Sequence, residues 1–378
     1  MNFELSDEQK LVQETAREFA EQRIAPLVDQ IEREHKIPQE LIDEMGEMGF
    51  FGIQYSSEYG GADAGYVTYM LMDEQICAVC NSVAQLFNGN SLAASCIENF
   101  GTPEQKAKYL PDLCAGRAIG SFAFTEPETG SDPKSLTTTA AKVDGGYVLN
   151  GTKRFITCGS YAGVMICFAI DDQTGKPSAF LVDKFCDGYS ISDRWNTIGS
   201  SGIELVDVFL ENVFVPDENV LGLLGNGYPI LQFNICFGKV GALACALGDA
   251  KMAVDEAFKY AQTKTRRGVP ITSYQTMQTK LAEIYSLHEA ARWMAYRYAW
   301  HCDHADMATL PRYAASAKLF VTSTCVKIVQ LCMEVHGCYA LIDDFPVSRA
   351  WREIISGELV EGVPDVQKTI LAHQLLNG

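Results

Sequence analysis

The residues of this 378-residue chain that could perform chemistry gather in two segments. The first, Phe124-Thr125-Glu126-Pro127-Glu128-Thr129-Gly130-Ser131-Asp132, crowds hydroxyls and carboxylates around a glycine. Taken alone it is an interdomain loop whose side chains cap turns and helix ends. The second, Glu358-Leu359-Val360-Glu361-Gly362-Val363-Pro364-Asp365, joins two helical patterns. A lone glutamate in such a loop is ordinarily solvated. It becomes a base only where an apolar site raises its pKa above about 4.3, and Val360 beside Glu361 is consistent with such a wall.

Other signals reduce to packing or punctuation. Cys77 and Cys80 form a C-x-x-C without a second pair or a nearby histidine, so they are read as buried cysteines on one helix, not as a zinc site. His301, Cys302, Asp303 and His304 read as a polar helix end, and no metal is expected. Gly222, Gly225 and Gly227 lack the dinucleotide spacing and start no βαβ unit. Nicotinamide and P-loop fingerprints are missing, as is the G-x-S-x-G elbow of serine hydrolases.

The elements that must position these segments fall into three runs. Residues 1–116 read as helices: Ser6 with Gln9, and Thr102-Pro103 with Gln105, are capping-box signals. Residues 117–225 read as an antiparallel β domain of short strands separated by Asp144-Gly145-Gly146 and Asn150-Gly151 turns. Residues 226–378 return to long alanine-rich helical periodicity, as in GALACALGDAKMAVDEAFKYA. The expected class is α+β, mainly α, and the helix–sheet–helix order excludes an alternating parallel sheet. Hydrophobic residues at 47% and charged residues at 21% fit a packed protein. A net charge of −18 without a basic run argues against nucleic acid and anionic membrane as partners. MNFELSDEQK is no secretory signal and no stretch of roughly 20 apolar residues is expected, since Lys239, Asp249 and Lys251 interrupt the best one, so a cytoplasmic protein is expected. Its thirteen cysteines are then expected to stay thiols.

Together and in order, FTEPETGSD, FIT, RRGVPI and GELVEGVPDVQKTILAH resemble the hallmarks of the acyl-CoA dehydrogenase family, and the likeness covers essentially the whole chain. The resemblance implies an N-terminal helical domain, a middle β domain and a C-terminal four-helix bundle, with FAD between them in a homotetramer or homodimer. It implies that Phe124, Thr125 and Phe155 to Thr157 line the flavin, that Ser131 meets flavin and thioester, and that Lys264, Arg266, Arg267 and Gly337 contribute to the cofactor site. Lys239 and Gly362 fall in the substrate site. Glu361 matches the catalytic base, which removes the C2 proton of an acyl thioester while hydride leaves C3 for flavin N5. The enolate oxygen is held by the base residue's own backbone N–H and a ribityl hydroxyl. An electron-transferring flavoprotein is the expected redox partner.

The chain departs from the family where cofactor and CoA are gripped. Lys264 and Arg267 stand where arginine and phenylalanine are usual, Cys236 and Lys239 replace an aspartate and an arginine, Glu334 replaces a glutamine, and Val363 a threonine. Lysine keeps charge but loses the bidentate fork. An acyl-carrier-protein dehydrogenase, an enoyl-CoA reductase working in reverse and a non-catalytic binding or scaffold relative are therefore carried as alternatives.

Overall fold

A computed structural model describes residues 4–132, 135–161, 163–304 and 307–377. The N-terminal helices are α1 (Asp7–Phe19), α2 (Val28–Glu34), α3 (Gln39–Glu47), α4 (Gly65–Cys77), α5 (Asn81–Phe100) and α6 (Pro103–Cys114). Both expected capping boxes form: Ser6 Oγ accepts from Gln9 N at 3.1 Å and Thr102 Oγ1 from Gln105 N at 3.2 Å, each glutamine reaching back to the cap N–H. Gln105 also donates to Glu218 O and Val220 O (2.7 and 2.9 Å), tying α6 to the end of the sheet. Cys77 closes α4 and Cys80 caps α5, so the C-x-x-C straddles a helix break and does not lie on one helix. Asp303 of the supposed polar helix end accepts from the free N–H groups of Tyr66 and Val67 at the start of α4.

The sheet comprises β1 (Ser121–Ala123), β2 (Thr139–Val143), β3 (Gly146–Thr157), β4 (Val164–Asp171), β5 (Pro177–Asp183), β6 (Tyr189–Ile191), β7 (Leu205–Pro216) and β8 (Val220–Leu221), ordered β6-β7-β3-β2-β4-β5-β8 with β1 on β4. Pairing is antiparallel except for short parallel contacts of β1 and β2 with β4. Strand alternation serves two cores: Val164, Ile166 and Phe168 of β4 face α5 and α6, while Met165, Cys167 and Ala169 face β3 and β7. The β3–β7 register breaks between Lys153 and Ile156. Such a bulge re-aims one side chain, and here it sends Phe155, at φ 58°, outward.

After α7 (Gly227–Phe237) come α8 (Lys239–Thr263), a hairpin of β9 (Thr265–Arg266) and β10 (Val269–Pro270), α9 (Gln275–His304), α10 (Leu310–His336), α11 (Pro346–Leu359) and α12 (Pro364–Asn377). Helices α8, α9, α10 and α11 pack together, and α4 joins α8 and α9 in the same hydrophobic core. By length and composition, 227–263 and 310–341 could each cross a membrane, which corrects the expectation that no such stretch exists. Three spaced charges lower the average hydropathy too little, and 78% and 50% of the two apolar windows are buried against other helices.

Candidate active site

Two helices and a loop converge on Glu361. It follows α11, and its backbone lies at φ 54°, with Gly362 at φ 97°. The left-handed region costs a non-glycine residue roughly 1–2 kcal/mol, so the surroundings must impose it. They do so through two buried side chains. Gln367 Nε2 donates to the carbonyls of Glu361 and Gly362 (both 3.1 Å). Lys318 of α10, 1% exposed, donates to Gly357 O at 2.8 Å and reaches Glu358 O and Gly362 O at 3.4 and 3.5 Å. A Cβ on Gly362 would lie 2.4 Å from Gln367 Nε2, so that position needs glycine. Among the described residues no acceptor takes the Glu361 N–H.

The carboxyl of Glu361 turns toward the α7–α8 junction, where a Cβ on Gly238 would be 3.5 Å from its Oε1. Its Oε2 is buried without a partner. Burial pushes this carboxyl above the ordinary glutamate value, and the ammonium groups of Lys239 and Lys318 oppose the shift without cancelling it. Lys239 is itself 1% exposed and donates to Ile235 O at 2.7 Å. Burial lowers both lysines, Lys318 to about 8. Tyr298 donates to Cys236 O beside them. A water-poor pocket holding one unsatisfied carboxylate between two cations, with a free N–H on the same residue, can remove a weakly acidic proton and stabilise the oxygen that becomes negative.

The first sequence segment runs on from β1 over the interior of the sheet. Thr125 O accepts from Arg154 N at 2.8 Å, so the strand after β1 runs beside β3. Glu126 is fully buried and structural: it pairs with Lys153 at 2.7 Å and accepts from Thr137 and Thr138. Phe124 packs edge-on against Phe168 in the core, and Thr125 and Thr157 are half-buried. Phe155 is 52% exposed, its ring 5.5 Å from that of Trp195, which is also largely exposed. Ser131 is exposed on the loop. Uncovered aromatic surface next to threonine hydroxyls suits a flat heteroaromatic ring such as a flavin.

Other predicted cofactor residues lie elsewhere. Lys264 follows the C-terminal end of α8, its Nζ 4.7 Å from the Tyr339 ring, and Arg266, Arg267 and Gly337 are exposed nearby in sequence to that contact. Glu361 lies at the other end of α8, whose 25 residues span roughly 37 Å. One chain therefore does not bring this basic hairpin to the Glu361 end. Glu334 pairs with Lys280 on the surface. Sequence reasoning missed Lys318, Gln367, Tyr298 and the Trp195 ring. The signal for Lys318 was available: a lysine inside the apolar run YAASAKLFV must either snorkel or find buried acceptors.

Residues 6–117, 121–213 and 225–376 match the descriptions "Acyl-CoA dehydrogenase, N-terminal domain", "middle domain" and "C-terminal domain". The chain is 35% identical to "Acyl-CoA dehydrogenase" of Bacillus subtilis, covering 99% of each. It is 32% identical to "Caffeyl-CoA reductase-Etf complex subunit CarC" of Acetobacterium woodii, covering 98% of this chain and 99% of the other. The solved butyryl-CoA dehydrogenase of Megasphaera elsdenii superposes with a TM-score of 0.96 at 31% identity, covering 100% of both chains.

Proposed function

The chain belongs to the acyl-CoA dehydrogenase family, whose members are FAD-dependent oxidoreductases acting on CH–CH groups, and from that premise we propose that Glu361 is the base that activates an acyl-CoA thioester. The observation that carries this is the unpartnered, buried Glu361 Oε2 between Lys239 and Lys318. Bound FAD supplies the two-electron acceptor for the hydrogen at C3. Phe124, Thr125, Ser131, Phe155, Thr157 and the neighbouring Trp195 would hold its ring. Glu361 takes the C2 proton, and its own N–H donates to the thioester oxygen as charge builds there. Lys239 and Gly362 border the thioester. The buried surroundings keep water from the carboxylate and keep it basic enough for the task.

Which way the enzyme runs, oxidising a saturated thioester or reducing an enoyl one, depends on its redox partner. The likeness to a subunit of a reductase–Etf complex supports an electron-transferring flavoprotein in that role. We further propose a cytoplasmic homotetramer, or at least a homodimer, in which Lys264, Arg266, Arg267 and Gly337 reach the cofactor of a neighbouring copy. The length of α8 and the exposed Tyr285, Trp293 and Trp300 on α9 support that reading.

The purified flavoprotein is titrated anaerobically with CoA and carrier-protein thioesters while its flavin absorbance is followed. Glu361→Gln should keep FAD and lose about 10²–10⁴-fold in turnover. Full activity in that variant would remove Glu361 from the base role, and failure to bind FAD would favour the scaffold alternative.

A further inference from the structure

Past Glu361 runs a narrow cavity walled by Asn81, Gln85 and Asn88 at i, i+4 and i+7 of α5 and by Ala242, Cys245, Ala246 and Asp249 of α8. A pocket for a plain hydrocarbon chain would present apolar side chains from both helices, because polar groups facing such a chain forfeit their hydrogen bonds with water. The apolar part of this lining is small, Ala242 and Ala246 of α8 with Val360 beside the base. Its far end is polar. Asp249 lies two turns beyond Ala242, about 10 Å along the helix axis, and is 2% exposed. Its oxygens accept from Asn81 Nδ2 at 3.0 and 2.9 Å and from the Cys77 thiol at 3.4 Å, which leaves a carboxylate with room for a further donor.

Behind it the balance tips further toward acceptors. Glu353, also buried, has both carboxyl oxygens without a hydrogen-bond partner, and the Arg349 guanidinium stands 4.0 Å away. Burial pushes the Asp249 and Glu353 carboxyls upward. A hydrocarbon tail would leave the remaining lone pairs of Asp249, the carboxylate of this pair that lines the cavity, unanswered, whereas a donor on the ligand would meet them.

We propose that the acyl group accepted here carries a hydrogen-bond donor, a hydroxyl or an amine, on its end remote from the thioester, and that Asp249 receives it. This rests on the thioester reading above and adds to it a substrate class. The specificity follows from asymmetry: an apolar pocket discriminates weakly against an added hydroxyl, but a pocket with buried acceptors strongly rejects the analogue that cannot satisfy them.

The test uses the FAD-loaded enzyme and pairs of thioesters, on CoA and on a carrier protein: butanoyl, hexanoyl and octanoyl chains, each plain, ω-hydroxylated and ω-aminated. Flavin bleaching and kcat/KM are read for the natural protein, Asp249→Leu and Asp249→Asn. At the best chain length a donor-bearing substrate should exceed its plain counterpart by about tenfold or more. Asp249→Leu should invert that ratio, with FAD content retained. Should the leucine variant lose FAD, Asp249→Asn, which keeps the shape, decides, and its ratio should fall. A preference for plain chains, a ratio within twofold, or a ratio that neither variant moves overturns the proposal while leaving the thioester chemistry standing. If no thioester of any kind bleaches the flavin, the underlying reading fails and the proposal falls with it.

Discussion

Replacing Lys318 with methionine separates positioning from stability. The ammonium holds the carbonyls of Gly357, Glu358 and Gly362, and so fixes the turn that carries Glu361. A charge-assisted bond such as that to Gly357 contributes about 1.5–3 kcal/mol. Against it stands burial, which lowers the Lys318 pKa from 10.5 to about 8 and costs the folded state about 3 kcal/mol at neutral pH. The two effects nearly cancel, so the variant should unfold within a few degrees of the natural protein. Catalysis should not survive as well, because a displacement of about 1 Å in a reacting group can cost about 100-fold. The pH profile supplies a signature that a purely structural role would not produce. Glu361 must be ionised to act, and its folded pKa is already raised by burial. Removing one of the two cations that oppose this raises it further. The acid limb of kcat/KM should therefore move to higher pH, with activity lost earlier as pH falls. The assay is a pH–rate profile on Lys318→Met with FAD content and thermal unfolding in parallel. An unmoved acid limb with kcat within about twofold of the natural enzyme would refute the positioning argument.

Three further outcomes are expected. Gly241→Ala should disrupt the α5–α8 contact, because its Cβ would meet Asn88 Oδ1 at 1.4 Å; overpacking of this kind costs about 1–3 kcal/mol or more, read as a lowered Tm together with loss of thioester turnover. Lys153→Met should cost about 3–5 kcal/mol at pH 7 by leaving Glu126 buried and unpaired, and adding Glu126→Gln should restore part of it. Burial raises the Glu126 carboxyl, but Lys153, Thr137 and Thr138 outweigh it and hold the group down to about 2. The natural protein should thus keep this contribution above about pH 4.3 and lose it as pH falls toward 2, which urea unfolding across that range will measure. Asp73 is the opposite case: fully buried, with neither oxygen partnered, its pKa is pushed well up by desolvation. Its contribution is present at low pH and lost as pH rises through the folded value, so Asp73→Asn should gain stability over the natural protein at pH 9 relative to pH 6; parallel pH dependences would sink this account.

Residues 238–254 show why some of the site was legible in the sequence and some was not. The capping boxes at Ser6 and Thr102 could be read because their chemistry is local, complete within four residues. The order of FTEPETGSD, FIT and VEG could be read because each is a contiguous string. Lys239, Asp249 and Lys251, by contrast, share one helix and look alike in sequence, three charges breaking an apolar run. In the fold Lys251 leaves for the surface and pairs with Asp255 at 2.5 Å, while Lys239 and Asp249 turn inward, Lys239 toward Glu361 and Asp249 into the cavity that Glu361 also lines. Which charge is buried is decided by the helices that cover α8, among them α4 and α5 from far earlier in the chain and α10 and α11 from later, and no periodicity within α8 reports their arrival. Burying a charge is costly enough that a fold keeps it only where a partner or a ligand compensates. Lys239 has its compensation in Ile235 O and Glu361. Asp249 has only part of it, in Asn81 and Cys77, and the shortfall at that end of the cavity is what a donor on the substrate would meet.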